Sequence, residues 1–398
     1  MRSQKTIFLF VLLLFGLIGL EAQSETNWQW TTQAGGEGNE HGISIAVDNQ
    51  GNQYVTGWFA GSADFGTTTL TSSGSSDIFI CKLDTDGNFL WARQAGGTDT
   101  DIGYSIGVDS AGNSYVTGQF YGTANFGNTS FTSDGYGDIF ICKLDTDGNF
   151  LWARQANGTS HDMGRSIAVD NEGNQYLTGS FMDSASFGAT TLTSIGSSDI
   201  FVCKLDTDGN FLWVRQAGGT AGDIGYSIGV DSNSNSFVTG WFSGNASFGD
   251  ITLSSSEIAD NFICKLDAAG NFLWANQTGG QSSLIAVDSS GNSYMSGWFR
   301  DSISFGDITL TGIGGIDLFI CKLDATGNYL WANMAGGTSY DWGEVWSDAI
   351  AVDNSGNSYI TGQFSYTIAF GNTTITSSGE IDIFICKLDP DGNFIWAK

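Results

Sequence analysis

The sequence predicts an all-β protein assembled from copies of one unit, and three observations support this fold class. First, the stretch Asp77–Gly97 (DIFICKLDTDGNFLWARQAGG) recurs with small changes along the chain, which is typical of a repeat protein. Second, 56 Gly and one Pro indicate many tight turns between strands. Third, the residues between the copies divide into short apolar segments separated by D-x-x-G-N turns. The further copies begin at Asp138, Asp199, Asp260, Asp317 and Asp382.

Each unit is predicted to contain four strands in two hairpins. In the second copy, Tyr104–Val108 and Ser114–Phe120 form the first hairpin. A connection of seventeen residues then leads to the second hairpin, Asp138–Asp145 with Phe150–Gln155. The tryptophans at the fourth strand lie 61 residues apart through most of the chain, so this unit is the structural period.

The D-x-x-G-N turns are predicted to be type I turns closed by a glycine in the left-handed region. Their Asp side chain would accept hydrogen bonds from amides of the same turn. An EF-hand calcium loop also begins D-x-D-G, but it needs ligands as far as a twelfth-position Glu, and here a strand follows at once. Ser234 replaces the turn glycine in one copy, and we expect a neighbouring Asn to adopt the left-handed conformation there.

Two strand patterns indicate how the units pack. In Ile78–Leu83 both alternating faces are largely apolar, which indicates a strand covered on both sides. On the first strand, the position of Ala46 is occupied by Gly or Ala in every copy, as a crowded innermost strand requires. Four antiparallel strands per unit with these features describe a blade of a β-propeller.

We predict one β-propeller domain over residues 23–398, with six four-stranded blades. The blade repeats, numbered 1 to 6 below, span about 37–97, 98–158, 159–219, 220–280, 281–337 and 338–398. Residues 27–36 match the end of the recurring stretch, with Trp30 aligned to Trp91, and would supply an extra outer strand able to close the ring. An incomplete seven-bladed propeller is the alternative. A β-solenoid is less favoured, because its coils are usually shorter and its ends need caps.

Three motifs of the unit, S-I-A-V-D-x-x-G-N-x-Y-x-T-G, D-I-F-I-C-K-L-D-x-D-G-N-x-x-W and Q-A-G-G, resemble the bacterial β-propeller repeat known as SBBP. The resemblance covers about Trp28 to Lys398. It implies a secreted or surface-exposed bacterial propeller with no single assigned activity. The family's name suggests seven blades, whereas this chain holds six complete units, so a six-bladed ring and a part of a longer protein both stay open.

Residues 1–22 are predicted to be a Sec-type signal peptide. Arg2 and Lys5 form its basic start, and Ile7–Leu20 is an apolar run of 14 residues, too short to span a bilayer. Cleavage is expected after Ala22. The protein is therefore expected to be secreted or at the cell surface, with no membrane span.

The charge balance restricts the partners. With 14 Lys+Arg against 42 Asp+Glu, the net charge of -28 would repel nucleic acid and anionic lipid. The acidity suits a soluble extracellular protein, and it leaves calcium as the one cofactor that we consider. We expect a monomer that engages an extracellular glycan or protein.

The six cysteines all occupy the same place in the third strand of their unit. Face-packed sheets lie ~10 Å apart, whereas a disulfide needs Cα atoms within roughly 7 Å. We therefore predict free, buried thiols that act as small apolar residues.

An acid recurs beside the loop that precedes each first strand, followed by one residue and a glycine in most copies. One interpretation is a ring of carboxylates that binds calcium or a cationic ligand. The other is that each acid accepts hydrogen bonds from amides of the adjacent loop, which is the favoured interpretation because a motif kept in nearly every unit is normally scaffold. These acids are Glu40, Asp101, Asp162, Asp223 and Asp341.

The irregular spacings indicate where function lies, because a scaffold role does not need to distinguish one unit from another. The loop at Gly279–Ser283 is four residues short, and Thr338–Asp348 is four residues long. The long loop adds aromatic and acidic side chains that suit stacking and hydrogen bonding to a sugar ring or a peptide. A ligand site is therefore predicted at Tyr340, Asp341, Trp342, Glu344 and Trp346, with the alternative that the two Trp only fill space beside the shortened neighbour.

No catalytic set is evident from the sequence. His41 and His161 occupy non-equivalent positions, which disfavours a Ser-His-Asp triad or a zinc site. The sequence thus favours a non-enzymatic binding or scaffold module for glycan or protein. The alternatives are a polysaccharide hydrolase or lyase that uses carboxylates at the loop ends, and a structural spacer of a larger surface protein.

Overall fold

The computed structural model describes residues 29–255, 259–337 and 346–398, and every regular element in these ranges is a β-strand. The prediction of an all-β fold is confirmed. Pairing between the strands is antiparallel, as the short connections demand.

Cα packing groups the chain into two compact units. The first comprises residues up to Gly173 together with Ala185–Gly188 and Thr207–Gly209. The second comprises Asn174–Ser184, Ala189–Asp206 and Asn210–Lys398. The single domain over 23–398 stays a prediction.

Each repeat contains a first, second, third and fourth strand and, between the second and third, a short hairpin. The first strands are Glu40–Val47, Ile102–Val108, Met163–Val169, Asp223–Val230, Gln281–Val287 and Trp346–Val352. The second strands are Gln53–Phe59, Ser114–Phe120, Gln175–Phe181, Ser236–Phe242, Ser293–Phe299 and Ser358–Phe364. The third strands are Asp77–Leu83, Asp138–Leu144, Asp199–Leu205, Asp260–Leu266, Asp317–Leu323 and Asp382–Leu388. The fourth strands are Phe89–Gly97, Phe150–Gly158, Phe211–Gly219, Phe272–Thr278, Tyr329–Gly336 and Phe394–Ala397.

The hairpin corrects the prediction that a loop joins the second and third strands. Its two strands are four residues each and join through a two-residue turn, which in repeat 2 is Gly127–Asn128 with Gly127 at φ 62°. Glycine fits because this turn requires a positive φ. The hairpin strands are Ser62–Phe65 and Thr68–Thr71, Thr123–Phe126 and Thr129–Thr132, Ser184–Phe187 and Thr190–Thr193, Asn245–Phe248 and Ile251–Ser254, Ser302–Phe305 and Ile308–Thr311, and Thr367–Phe370 and Thr373–Thr376.

The hairpin extends the sheet of the preceding repeat. In repeat 2 it pairs through Ala124 with Gly97, the last residue of the fourth strand of repeat 1. The short strand Gly35–Gly36 pairs in the same way with the hairpin of repeat 1. In repeat 5 the hairpin forms a two-stranded sheet by itself, and this follows the shortened loop, where the fourth strand of repeat 4 already ends at Thr278.

The core lies between the sheets of consecutive repeats. One buried cluster joins Ile78, Ile80 and Trp91 of repeat 1 to Phe140 and Cys142 of repeat 2. Every residue of the third strand of repeat 1 is buried, so both faces of this strand are covered, as its apolar pattern predicts. The six cysteines are free and buried, which confirms that they serve as small apolar residues.

First strands of neighbouring repeats approach closely, which explains the small residue at the position of Gly107. A methyl group on Gly107 would lie 2.8 Å from a methyl carbon of Val169, and one on Gly229 would lie 2.6 Å from Val287. These separations are shorter than carbon–carbon contacts allow. The predicted crowding of this strand is therefore present.

The D-x-x-G-N turns have the predicted geometry. In the first, the amide of Gly51 donates to the carbonyl of Asp48 at 3.0 Å, and Gly51 has φ 85°. Oδ1 of Asp48 accepts from the amides of Gln50 and Asn52, both at 2.9 Å. The turn is therefore closed by hydrogen bonds to its own carboxylate.

Ser234 itself takes the left-handed conformation, at φ 61°, and not a neighbouring Asn. Its amide donates to the Asp231 carbonyl at 3.0 Å, as the glycine of the other turns does, so the turn hydrogen bonds fix the residue at this place.

We expect the substitution Ser234→Gly to raise the free energy of unfolding by about 1 kcal/mol, because the left-handed conformation costs a residue with a Cβ roughly this amount. Urea denaturation followed by tryptophan fluorescence measures the change. The reverse substitution at an equivalent turn, Gly112→Ser, should lower the unfolding midpoint. An unchanged midpoint for Ser234→Gly would mean that the serine is not strained.

A tryptophan on the fourth strand links each repeat to the next. Its indole N–H donates to a carbonyl in the second D-x-x-G-N turn of the following repeat. The bonds are Trp91 to Thr146 (3.0 Å), Trp152 to Thr207 (3.1 Å), Trp213 to Ala268 (3.1 Å), Trp274 to Ala325 (3.4 Å) and Trp331 to Pro390 (3.0 Å). Trp30 makes the same bond to Thr85 of repeat 1 at 2.9 Å, so the described contacts of the N-terminal segment are with repeat 1.

Candidate functional site

The recurring acid holds several loop segments together. Asp101 is fully buried and accepts hydrogen bonds from the amides of Gly97 at 2.7 Å and Tyr121 at 3.1 Å. Asp223 accepts from the same two backbone positions of its own surroundings, at 2.8 and 3.1 Å. Glu40 accepts one hydrogen bond, at 3.1 Å, from the amide of Gly36 in the preceding short strand. These three acids therefore make the hydrogen bonds to backbone amides that a role in holding the scaffold together predicts.

Of the other two acids, Asp162 is fully buried and Asp341 lies outside the described residues. Within the part of the chain that the structure describes, no three His, Cys, Asp or Glu side chains are grouped so that they could hold a metal ion. Calcium binding by Glu40, Asp101, Asp162, Asp223 and Asp341 stays a prediction.

Burial and a neighbouring carboxylate shape the acidity of Asp101. Burial raises the pKa of Asp101 to about 6, and the charge of the nearby Asp77 adds to this rise. A methyl group on Gly96 would lie 2.8 Å from Oδ2 of Asp101 and 3.0 Å from Cγ of Asp77, so the two carboxyls flank the same glycine. Asp223 has a pKa of about 6 for the same reasons, with Asp199 as its neighbour.

These buried carboxyls predict that the folded protein gains stability as the pH falls from neutrality. The folded-state pKa of about 6 at Asp101 and Asp223 lies above the ordinary value of 3.8, so the folded protein binds protons more tightly than the unfolded chain. The resulting stability is complete below 3.8 and is lost as the pH rises through about 6. At Asp84 the hydrogen bond from the Asn88 side chain lowers the pKa, so this carboxyl stabilises the folded protein above its ordinary value of 3.8 and loses that contribution only in more acidic solution.

The measurement is the thermal unfolding midpoint at about pH 5 and about pH 7.5, which should be higher at the lower pH. The double substitution Asp101→Asn with Asp223→Asn should shrink that difference. Removal of two exposed turn carboxylates, Asp86→Asn with Asp147→Asn, is the charge-matched control and should leave it unchanged. Equal midpoints of the unsubstituted protein at the two pH values would contradict the account.

The predicted ligand loop is only partly within the described residues. Tyr340, Asp341, Trp342 and Glu344 lie outside them. Trp346 is the first residue of the first strand of repeat 6, where its backbone pairs with that of Gln363. Trp346 therefore belongs to a strand and not to the loop in which the sequence had placed it. The ligand site at these five residues stays a prediction.

The first, second, third and fourth strands of a repeat each have one end at a D-x-x-G-N turn, and we call the opposite end of each its loop end. The loop ends of the first strands carry a position that sequence reasoning did not single out. In repeats 2 and 4 the pairing with the second strand shifts by one residue, so that Tyr104 and Tyr226 are the extra residue of a β-bulge. A bulge redirects its side chain out of the regular alternation of the strand. By sequence, the equivalent residues are Ile43 in repeat 1 and Arg165 in repeat 3. The scaffold therefore tolerates an aliphatic, an aromatic or a charged side chain here.

A polar cluster surrounds this position in repeats 2 and 3. Gln119 is almost fully buried, and its amide nitrogen lies 3.1 Å from Nε2 of His161. The hydroxyl of Tyr121 lies 3.2 Å from the same nitrogen. Burial and then the charge of Arg165 lower the pKa of His161, so the imidazole is neutral at pH 7. Burial raises the pKa of Tyr104, and the charge of Arg165 opposes the rise.

Other repeats combine different side chains at their loop ends. In repeat 1, His41 stacks on Trp58 with ring centroids 6.0 Å apart and planes at 6°. In repeat 4, the indole N–H of Trp241 donates to the hydroxyl of Tyr226 at 2.7 Å. Arg300 follows the second strand of repeat 5, and its side chain is exposed. Each loop end thus presents its own chemistry on a common scaffold.

The basic residues show the same separation between constant and variable positions. Of 14 Lys and Arg, six lysines and three arginines recur at fixed strand positions, and three lie at the chain ends. The two that remain, Arg165 and Arg300, are both at loop ends of strands. Both histidines, His41 and His161, are there too. Comparison of equivalent positions between repeats would have found this pattern in the sequence, whereas comparison of loop lengths pointed to residues 279–283 and 338–348.

No helix in the described ranges is long and apolar enough to cross a membrane.

These features define the protein as an all-β repeat scaffold with variable loop ends, and comparison with known families identifies the repeat. The family model SBBP, described as a beta-propeller repeat, matches residues 29–58, 90–122 and 212–245. Three segments of the chain thus match the SBBP β-propeller repeat, which confirms the resemblance that its motifs showed.

Proteins similar to this chain include two curated proteins and a solved structure. An uncharacterized WD repeat-containing protein of Acanthamoeba polyphaga mimivirus is 25% identical over 92% of this chain and 34% of its own length. The regulatory protein FlaEY of Caulobacter vibrioides is 26% identical over 67% of this chain and 31% of its own length. The chain therefore spans about a third of the length of these relatives. The Pan2 WD40 domain of Neurospora crassa is 10% identical with a TM-score of 0.40, over 81% of this chain and 86% of that domain.

Proposed function

We propose that this protein is a non-enzymatic β-propeller scaffold of six four-stranded blades, and that it binds a protein partner through the loop ends of its strands. The signal-like residues 1–22 support secretion or display at the cell surface, and we place the monomeric protein there.

One observation carries the proposal: the chemistry that differs between repeats is concentrated at the loop ends. The turns, the tryptophan links and the third strands repeat with little change. The bulge position changes from Ile43 to Tyr104 to Arg165 in repeats 1 to 3, and repeat 2 has Gln119 on the second strand where repeat 4 has Trp241. Loops and strand ends on a rigid scaffold are where binding residues concentrate in proteins, and Tyr, Trp and Arg are the side chains enriched at interface hot spots. The net charge of -28 favours a partner with a cationic surface.

A binding array of glycans and random-sequence peptides tests this function on the full chain. We expect peptides to bind and glycans not to bind. The double substitution Tyr226→Ala with Trp241→Ala should weaken peptide binding by at least about tenfold, as is usual when hot-spot aromatics are truncated.

The matched control truncates two apolar side chains at the turn ends of repeats 3 and 4. Leu212 and Leu273 are 53% and 51% exposed, so Leu212→Ala with Leu273→Ala should leave binding unchanged. Binding that is lost with the leucines and kept without Tyr226 and Trp241 would overturn the proposal. Selective binding of glycans would replace the protein partner with a polysaccharide. The substitution Trp342→Ala with Trp346→Ala in the same array tests the loop site that the sequence predicts.

A further inference from the structure

Arg165 and Tyr104 occupy neighbouring strands at the same position. The first strands of repeats 2 and 3 lie side by side, because the amide of Ile167 donates to Oγ of Ser105 at 3.2 Å. Tyr104 directly precedes Ser105, and Arg165 precedes Ile167 by two residues. The phenol and the guanidinium group are therefore placed beside one another, and the effect of the Arg165 charge on the pKa of Tyr104 agrees with this placement.

The side chains next to Arg165 are held in place by the backbone. Residues Gly137 and His161 form a bridge between two loops, and the amide of Asp162 donates to the Gly137 carbonyl at 3.0 Å. A methyl group on Gly137 would lie 2.6 Å from the Gln119 amide nitrogen and 3.1 Å from the Tyr121 ring. A side chain at 137 would therefore displace the Gln119 amide from its present place beside His161.

The resulting group offers one permanent cation and several neutral donors. Arg165 is the cation, His161 is neutral at pH 7, and the hydroxyls of Tyr104 and Tyr121 are protonated because burial raises the pKa of both. A guanidinium group binds a planar carboxylate through two parallel N–H donors, and phenol hydroxyls add further hydrogen bonds to its oxygens. A cationic ligand group would be repelled by Arg165. A doubly charged phosphate would meet the net charge of -28 with only one cation to offset it.

The fold does not require an arginine at this position. Equivalent residues in repeats 1, 2 and 4 are Ile43, Tyr104 and Tyr226. A charged side chain that the scaffold can replace by Ile or Tyr is explained by what it binds and not by what it supports.

We propose that Arg165, with Tyr104, Tyr121 and His161, forms a subsite at the loop ends of repeats 2 and 3 that binds a carboxylate group of the protein partner. This inference rests on the proposed function for the class of partner. The rest of the partner's surface would be cationic, because the net charge of this chain is -28. The carboxylate would be the exception on that surface.

The two histidines of the chain allow the subsite to be tested without a partner. Imidazole proton resonances of the full chain are followed by NMR against pH in sodium formate and in sodium chloride of equal ionic strength, about 0.1 M. Formate is the smallest carboxylate. Because the Arg165 charge lowers the pKa of His161, a bound formate should raise it relative to chloride. His41, in repeat 1, is the internal reference and should titrate identically in both salts.

The variants separate binding from a structural effect. The substitution Arg165→Gln should raise the pKa of His161 in chloride and abolish the response to formate. Arg165→Tyr introduces the residue that repeats 2 and 4 have at this position, so the fold accepts it. This variant should also abolish the response of His161 to formate. Arg300→Gln removes the other arginine outside the fixed strand positions and should change neither histidine. Identical titration of His161 in formate and chloride in the unsubstituted protein would overturn the subsite.

The outcome is distinguishable from failure of the proposed function. Peptides that bind at the loop ends while formate leaves His161 unchanged would retain the function and refute the subsite. A formate response without peptide binding in the array would retain the subsite and refute the protein partner. Peptides with a free C-terminal carboxylate should bind at least about tenfold more tightly than amidated ones, and this preference should vanish in Arg165→Gln.

Discussion

Replacing Gly118 with alanine is expected to lower the free energy of unfolding by about 3 kcal/mol or more, because the new methyl group has no space. It would lie 1.9 Å from the carbonyl oxygen of Ile102 on the first strand and 2.8 Å from the ring of Phe140 on the third. Ile102 lies on the edge strand and Phe140 on an inner strand, one on each side of the second strand, so relief requires the strands of repeat 2 to separate. The urea midpoint of the variant measures the effect.

A glycine with open surroundings provides the control. A methyl group on Gly379 would meet no atom within 4 Å, so Gly379→Ala should leave the midpoint within experimental error. If Gly118→Ala kept the full stability of the unsubstituted protein, the space around Gly118 would have to be wider than the structure shows.

Replacing Trp91 with alanine should cost about 3 kcal/mol or more, which is usual for a buried tryptophan. Trp91 is 7% exposed, donates to the Thr146 carbonyl at 3.0 Å and lies against Gly148 of repeat 2. The substitution therefore removes a contact between repeats, on which the stability of a repeat array depends. Thermal unfolding followed by circular dichroism measures the loss.

Trp396 is the matched control, because it has the same place in repeat 6 without a following repeat in the described residues. Its ring packs against Tyr359, with centroids 6.5 Å apart, and Trp396→Ala should be less destabilising than Trp91→Ala.

A second comparison concerns Arg93, which donates to the Gly148 carbonyl at 2.9 Å. Asn276 donates to the equivalent carbonyl of Gly327 at 2.6 Å, so Arg93→Asn should be mild. Equal losses for Trp91→Ala and Trp396→Ala would contradict the role of tryptophan as a link between repeats.

The sequence predicted those parts of the fold that repeated local signals specify. The Asp and Gly of each D-x-x-G-N turn determine its hydrogen bonds, and apolar residues on both faces of Ile78–Leu83 indicate its burial. The short hairpin was missed because its four-residue strands alternate between buried and exposed residues within a polar, glycine-rich connection. A signal was nevertheless present, since Gly127–Asn128 between two such segments is typical of a tight hairpin.

The candidate site was less accessible to sequence reasoning. The position of Arg165 looks like an ordinary variable residue of a strand, and only the register shifts at Ile43, Tyr104 and Tyr226 in other repeats identify it as a bulge. The proximity of Gln119 and Tyr121 to His161 joins residues about forty positions apart, which periodicity alone does not reveal. The acids at the loops were recognised, but their amide partners depend on tertiary structure.

Amide hydrogen exchange of the full chain, with and without a peptide that it binds, tests the central claim most directly. The account predicts slower exchange on binding at the loop ends, above all around Tyr121 and His161–Arg165. Exchange at the turns Asp109–Asn113 and Asp145–Asn149 should not change. Protection of these turns, with the loop ends unaffected, would contradict the assignment of binding to the loop ends.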